Sequence, residues 1–102
     1  MSSSRVLPIA ADHPVFAGHF PGTPILPGAV LLDETLRIIE LDRTLNLTQW
    51  QLASVKFQGV VRPGDAPVIE HSAAAGGTLK FTLRLSGRAV LTGTLSPLIP
   101  CG

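Results

Sequence analysis

The hydrophobic pattern of this 102-residue chain changes period once, and that change restricts the folds open to it. From Gly28 to about Arg43, "GAVLLDETLRIIELDR" holds helix formers with no breaker, and Pro27 ahead of it suits a first-turn position. From Trp50 onward the period shifts toward two. The segments "WQLASVKFQGVV", "APVIEHSAA", "TLKFTLRLSG" and "RAVLTGTLSPL" read as strands, separated by turn signals at "RPGD", at "GG" and at the glycine of "SGR". With a short extended piece near Arg5 to Ala11 as a fifth strand, this predicts an α+β layout. Four antiparallel strands joined by tight turns follow one long central helix, and the apolar face of a curved sheet packs against that helix. Residues 1–102 are expected to form one domain. On a 100° wheel Ala29, Leu32, Leu36 and Ile39 form an apolar stripe that Leu31, Thr35 and Ile38 widen, and Asp33 falls at its edge beside Arg37 and Glu40.

Composition excludes several function classes. The chain is 45% apolar and 15% charged, below the usual charged quarter, which predicts that a partner chain covers some surface. The net charge is +1, the eight Lys and Arg are scattered, there is no Tyr and a single Trp50, so nucleic-acid binding has no support. Cys101 is alone, which rules out an internal disulfide, has no companions for a metal site, and fits a reducing interior. No metal or cofactor is expected. "MSSSRVLPIAADHP" is interrupted by Arg5, Pro8 and Asp12, so it does not read as a signal peptide. The apolar runs fall short of the roughly 20 residues that span a bilayer. A soluble, cytoplasmic protein without a membrane partner is expected.

Residues 18–34, "GHFPGTPILPGAVLLDE", spend three prolines and three glycines on a stiff loop between His19 and a helix carrying Asp33. This run, followed by "VKFQGVVRPGD", resembles the β-hydroxyacyl-acyl-carrier-protein dehydratases of the hotdog fold. It is most similar to the short thioester dehydratases of aryl polyene type pathways. The shared signature is a histidine in a His-Phe-Pro-Gly turn, a Pro-Gly at the helix start and an acid 14 residues after the histidine, here His19, Pro27 with Gly28, and Asp33. The resemblance extends from about Arg5 to Leu98. It implies a curved antiparallel sheet of about five strands wrapped around one helix, and dehydration of 3-hydroxyacyl thioesters in fatty acid or specialised lipid biosynthesis. The acyl group would be carried by acyl carrier protein or coenzyme A. The resemblance assigns catalysis to His19 and Asp33, and substrate binding to the backbone N–H of Gly28 and to Phe20, Pro27 and Arg37. It also implies a homodimer in which His19 of one chain faces Asp33 of the other. Two positions depart from the pattern. The "HFPG" turn belongs to the branch with Glu at the acid position whereas Asp33 belongs to the isomerising branch, and Arg37 stands where the family often has Gln.

Dehydration needs a base for the α proton, a group to assist the departing β hydroxyl, and a donor for the thioester oxygen. An unperturbed imidazole, with a pKa of about 6.5, is mostly neutral near pH 7 and suits His19 to the first role. Asp33, roughly 8 Å into the helix at 1.5 Å per residue, suits the second. The helix start, with unpartnered N–H groups and a positive dipole end, suits the third at Gly28. Arg37 four residues on opposes a protonated Asp33, and the same spacing is that of an ordinary solvated helix pair. His13, in "DHP", and His71, on a strand, are expected to be structural, and Glu34 a surface residue. Arg37, Arg62 and Lys56 are candidates to meet an acidic carrier protein. A hotdog thioesterase, and a non-catalytic acyl-binding partner subunit, are the alternatives.

Overall fold

The computed structural model describes residues 2–7, 28–62 and 64–98. Strand β1 (Ser2–Val6) precedes helix α1 (Gly28–Arg43), and four strands follow: β2 (Trp50–Phe57), β3 (Val68–Ala73), β4 (Leu79–Leu85) and β5 (Arg88–Pro97). They form one sheet in the order β1-β3-β4-β5-β2, with every neighbouring pair antiparallel. The expected five-stranded α+β layout is present, and α1 has the predicted bounds. The N-terminal strand covers Ser2–Val6 and overlaps the expected piece at Arg5 and Val6, while residues 8–11 lie outside the described residues. Its register runs from Ser2 opposite Ser72 to Val6 opposite Val68, so backbone pairing with β3, and not strand propensity, defines it.

Two of the tight turns join neighbours as expected. The β4–β5 hairpin turns through Ser86 and Gly87, both with positive φ (54° and 79°), the combination that matches the twist of paired strands. Between β3 and β4 the chain makes a short 3-10 turn at Ala75–Gly77. The third turn differs from expectation. At "RPGD" the Asp65 N–H donates to the Arg62 carbonyl (3.1 Å) and the Asp65 carboxylate accepts from the Arg62 N–H (2.8 Å), yet β2 and β3 are not neighbours. Strand β2 lies on the far edge beside β5, and this turn belongs to a crossover.

The inner face of the sheet follows from alternation. Ile69 and His71 on β3, Leu79, Phe81 and Leu83 on β4, and Leu91 and Leu95 on β5 are buried. Val90 is buried beside Leu91 because the register slips between Leu83 and Arg84, leaving Val90 as the extra residue of a bulge. Phe81 lies over Gly93, where an added Cβ would come within 2.3 Å of the ring. Each fully buried aliphatic side chain here contributes about 1.5–3 kcal/mol.

Helix α1 closes this face with Leu31, Thr35 and Ile39. The expected stripe is therefore rotated. Leu32 and Leu36 are half-buried, and Ala29 is exposed. Thr35 tolerates complete burial because its hydroxyl donates to the Leu31 carbonyl (2.8 Å). Thr44, at φ 54°, ends the helix in a left-handed conformation, and the Leu45 N–H returns to the Glu40 carbonyl (3.0 Å).

The helix crosses the sheet from one side to the other. Its first residue, Gly28, lies against the Phe57 ring on β2. Its last turn meets β3 and β1: Arg43 Nε donates to His71 Nδ1 (2.7 Å), and Arg5 pairs with Asp42 (2.5 Å). An acceptor at Nδ1 puts the ring hydrogen on Nε2, which faces Asp42 Oδ2 at 3.4 Å. Both nitrogens of the buried His71 are thus occupied, and it is a structural clamp, as expected.

Candidate active site

The residues assigned from the sequence separate into two sets. His19, Phe20 and Pro27, together with His13 and Cys101, lie outside the described residues. Gly28, Asp33 and Arg37 all lie on α1.

Gly28 opens the helix, so its N–H and the next three have no intrahelical acceptor. No acid stands in the first turn to offset the positive end of the dipole. A Cβ at Gly28 would come within 2.9 Å of Phe57 Cε1 and 3.0 Å of Cδ1. The glycine therefore has a packing role besides leaving its N–H open to a ligand: it admits an aromatic wall beside the donor end.

Asp33 is exposed, and the expectation that it sits at the edge of the apolar stripe is corrected. Two residues from Leu31 amount to about 200° of rotation, so Asp33 points away from the chain's own sheet. Among the described residues no hydrogen bond or ion pair reaches it. The anticipated Asp33–Arg37 pair is also absent. Arg37 instead donates to Glu34 Oε2 (2.7 Å), one residue closer along the helix. Hydrogen bonding to Glu34, and then the charge of Glu34, raise the Arg37 pKa above its ordinary value; slight burial opposes this, and the charge of Asp33 adds to it. Arg37 is thus held by a neighbouring carboxylate, and Asp33 is left for another partner.

Glu34 is the partly covered surface residue that pairs with the exposed Arg37. Its side chain is 22% exposed, better covered than the open Asp33, because its position on the wheel is closer to Leu31. Phe57 escaped the sequence reading. The signal for it was available, since alternation from Val55 puts Phe57 on the apolar face at the end of β2.

A donor-rich helix end beside an aromatic wall, with a carboxylate projecting from the next turn, can receive a carbonyl and a hydroxyl of one acyl chain. The family model of the ApeI-like proteins, described as ApeI dehydratase, matches residues 3–94. The chain belongs to that family. A 3-hydroxyacyl-[acyl-carrier-protein] dehydratase FabZ of Caldicellulosiruptor saccharolyticus is 31% identical over 99 residues, covering 85% of this chain and 70% of the relative. Its counterpart in Chlamydia trachomatis is 30% identical over 101 residues, covering 86% of this chain and 66% of the relative. Among solved structures, the dehydratase heterocomplex ApeI:P from Xenorhabdus doucetiae superposes with a TM-score of 0.72 at 24% identity, over 93% of this chain and 85% of that one. A probable thioesterase from Bartonella henselae has a TM-score of 0.62 at 11% identity, over 93% and 88%. These likenesses establish the hotdog architecture for the sheet and helix described above.

Among the described residues no helix is long and apolar enough to cross a membrane.

Proposed function

We infer that this chain dehydrates 3-hydroxyacyl thioesters to trans-2-enoyl thioesters. The observation that carries the reading is the first turn of α1 in a chain of this family: a helix start without a local acid, opened at Gly28, with Asp33 projecting from the following turn. The Gly28 N–H receives the thioester oxygen as enolate character develops; removing such a donor typically costs about 3–4 kcal/mol of barrier. His19 takes the α proton, and the carbon–oxygen bond to the β hydroxyl held by Asp33 breaks. That hydroxyl leaves as water with a proton equivalent to the one removed, so that both side chains return to their starting states. The net change is loss of one water and gain of one carbon–carbon double bond. Side chains and a backbone N–H perform every step, and no cofactor is invoked.

We further propose that the site is shared between two copies of the chain. Asp33 turns its back on its own sheet, and β2 stands at the edge of the sheet among the described residues, with Leu52, Val55 and Phe57 partly exposed. Edge-to-edge pairing of two sheets into a homodimer would bring His19 of one chain to Asp33 of the other. The substrate is carried by acyl carrier protein or coenzyme A, in the cytoplasm, within fatty acid or specialised lipid synthesis.

Incubation with crotonyl and 3-hydroxybutyryl thioesters, following enoyl absorbance alongside free thiol, tests the reading. Interconversion of enoyl and hydroxyacyl forms without thiol release is expected. Thiol release alone would instead establish a thioesterase, and inertness to both a binding subunit. Mixing His19→Ala with Asp33→Asn chains tests the sharing: recovered activity is expected, and none would refute it.

A further inference from the structure

The six arginines of the chain divide sharply. Arg5 pairs with Asp42, Arg37 with Glu34 and Arg84 with Glu70, and Arg43 donates to His71. The remaining two, Arg62 and Arg88, have no ion pair among the described residues, and both are exposed. They line the same open cavity, of about 320 Å³, between the segment that follows β2 and the β4–β5 hairpin. Gln58 and Ser86 add polar groups to its wall, Val60 and Leu85 add apolar ones, and among the described residues no acidic side chain lines it. The nearest acid in sequence, Asp65, directs its carboxylate to the Arg62 backbone N–H instead. Two unpaired guanidinium groups with amide and hydroxyl neighbours in a concave site suit a phosphate, whose oxygens accept forked hydrogen bonds.

The position of the cavity indicates which phosphate. Its wall starts at Gln58, the residue after Phe57, whose ring packs on Gly28. Five residues separate Phe57 from Arg62, a reach of at most about 18 Å. The segment stays against β5 on the way, with the Gln58 N–H donating to the Val90 carbonyl (2.9 Å) and Gly59 so close to Val90 that a Cβ would meet its Cγ1 at 2.9 Å. We propose that the Arg62–Arg88 cavity binds the phosphate of the group that carries the acyl thioester. The proposal rests on the dehydratase reading for the placement of the thioester at Gly28. The phosphate belongs either to a phosphopantetheine arm or to the nucleotide end of coenzyme A.

Calorimetric titration of the full chain with pantetheine, 4′-phosphopantetheine and adenosine 3′,5′-bisphosphate separates these sources without requiring turnover. At least tenfold tighter binding of 4′-phosphopantetheine than of pantetheine is expected, and Arg62→Gln with Arg88→Gln should abolish the difference. Tight binding of adenosine 3′,5′-bisphosphate, lost in the same double variant, would assign the cavity to the nucleotide end. Equal affinity for all three, or binding unchanged in the double variant, would overturn the proposal. In kinetics the double variant should raise KM for crotonyl-coenzyme A at least tenfold with kcat retained, and leave the phosphate-free N-acetylcysteamine thioester unaffected. A parallel loss on both thioesters would also overturn it. Failure of the parent protein to convert either thioester would refute the dehydratase reading, and the titrations would still decide the cavity.

Discussion

Strands β3 to β5 and strand β2 face the same side of one sheet, yet only the first group is finished. On β4 the inward residues Leu79, Phe81 and Leu83 are no more than 4% exposed, whereas on β2 the inward Leu52, Val55 and Phe57 are 38%, 36% and 48% exposed. The registers leave no doubt about facing, since Phe57 opposes Leu91, Val55 opposes Gly93 and Leu52 opposes Leu95. The contrast accompanies the placement of α1, whose buried stripe of Leu31, Thr35 and Ile39 closes the sheet and whose first residue, Gly28, meets β2 at Phe57. An apolar face that its own helix leaves bare is the expected site of a second chain. The region next to the proposed site is thus less self-sufficient than strands β3 to β5.

Substitutions can break this comparison. Leu83→Ala, in the covered region, should cost about 2–5 kcal/mol in denaturant unfolding, through lost burial plus a cavity; a cost below 1 kcal/mol would show that the helix does not seal this face. His71→Ala should follow at about 2–3 kcal/mol, because Asp42 and Arg43 lose a buried partner. Thr44→Gly should gain about 1 kcal/mol by relieving a left-handed threonine, with activity unchanged. The smallest effect belongs to the bare region: Val55→Thr should stay within about 0.5 kcal/mol at high dilution. Its cost should grow with protein concentration as a second chain covers the face, and a cost independent of concentration would contradict edge-to-edge assembly.

Much of this arrangement was legible in the sequence, for identifiable reasons. The bounds of α1 were readable because Gly28 and the run to Arg43 contain no interior breaker, and β4 because Leu79, Phe81 and Leu83 alternate with Lys80, Thr82 and Arg84. The buried side of α1 was not. Leucines and isoleucines at 31, 32, 36, 38 and 39 support more than one stripe, and tertiary packing chose the one through Thr35, turning Asp33 outward. The place of β2 was also hidden, because its partner β5 lies more than thirty residues later and periodicity carries no information on distant pairing. Strand β1 begins with three serines, and its strand character comes from β3. At the candidate site, Gly28, Asp33 and Arg37 were singled out by the resemblance of residues 18–34 to the dehydratases, while the preference of Arg37 for Glu34 over Asp33 was a rotamer outcome that i,i+3 and i,i+4 spacing leave equally open.

The clamp at His71 gives α1 the mechanics of a cantilever. Sixteen residues at 1.5 Å each make a beam of about 24 Å, fixed by hydrogen bonds and an ion pair at Asp42 and Arg43, bedded on the sheet through Leu31, Thr35 and Ile39, and ending at Gly28 against the Phe57 ring. A tilt of about 5° at the fixed end then sweeps the free end through about 2 Å, and misplacement by about 1 Å can cost 10²-fold in rate. A polar knot at the opposite end of the helix from the proposed site thus acts as the bearing on which the alignment of the proposed thioester donor, the Gly28 N–H, turns.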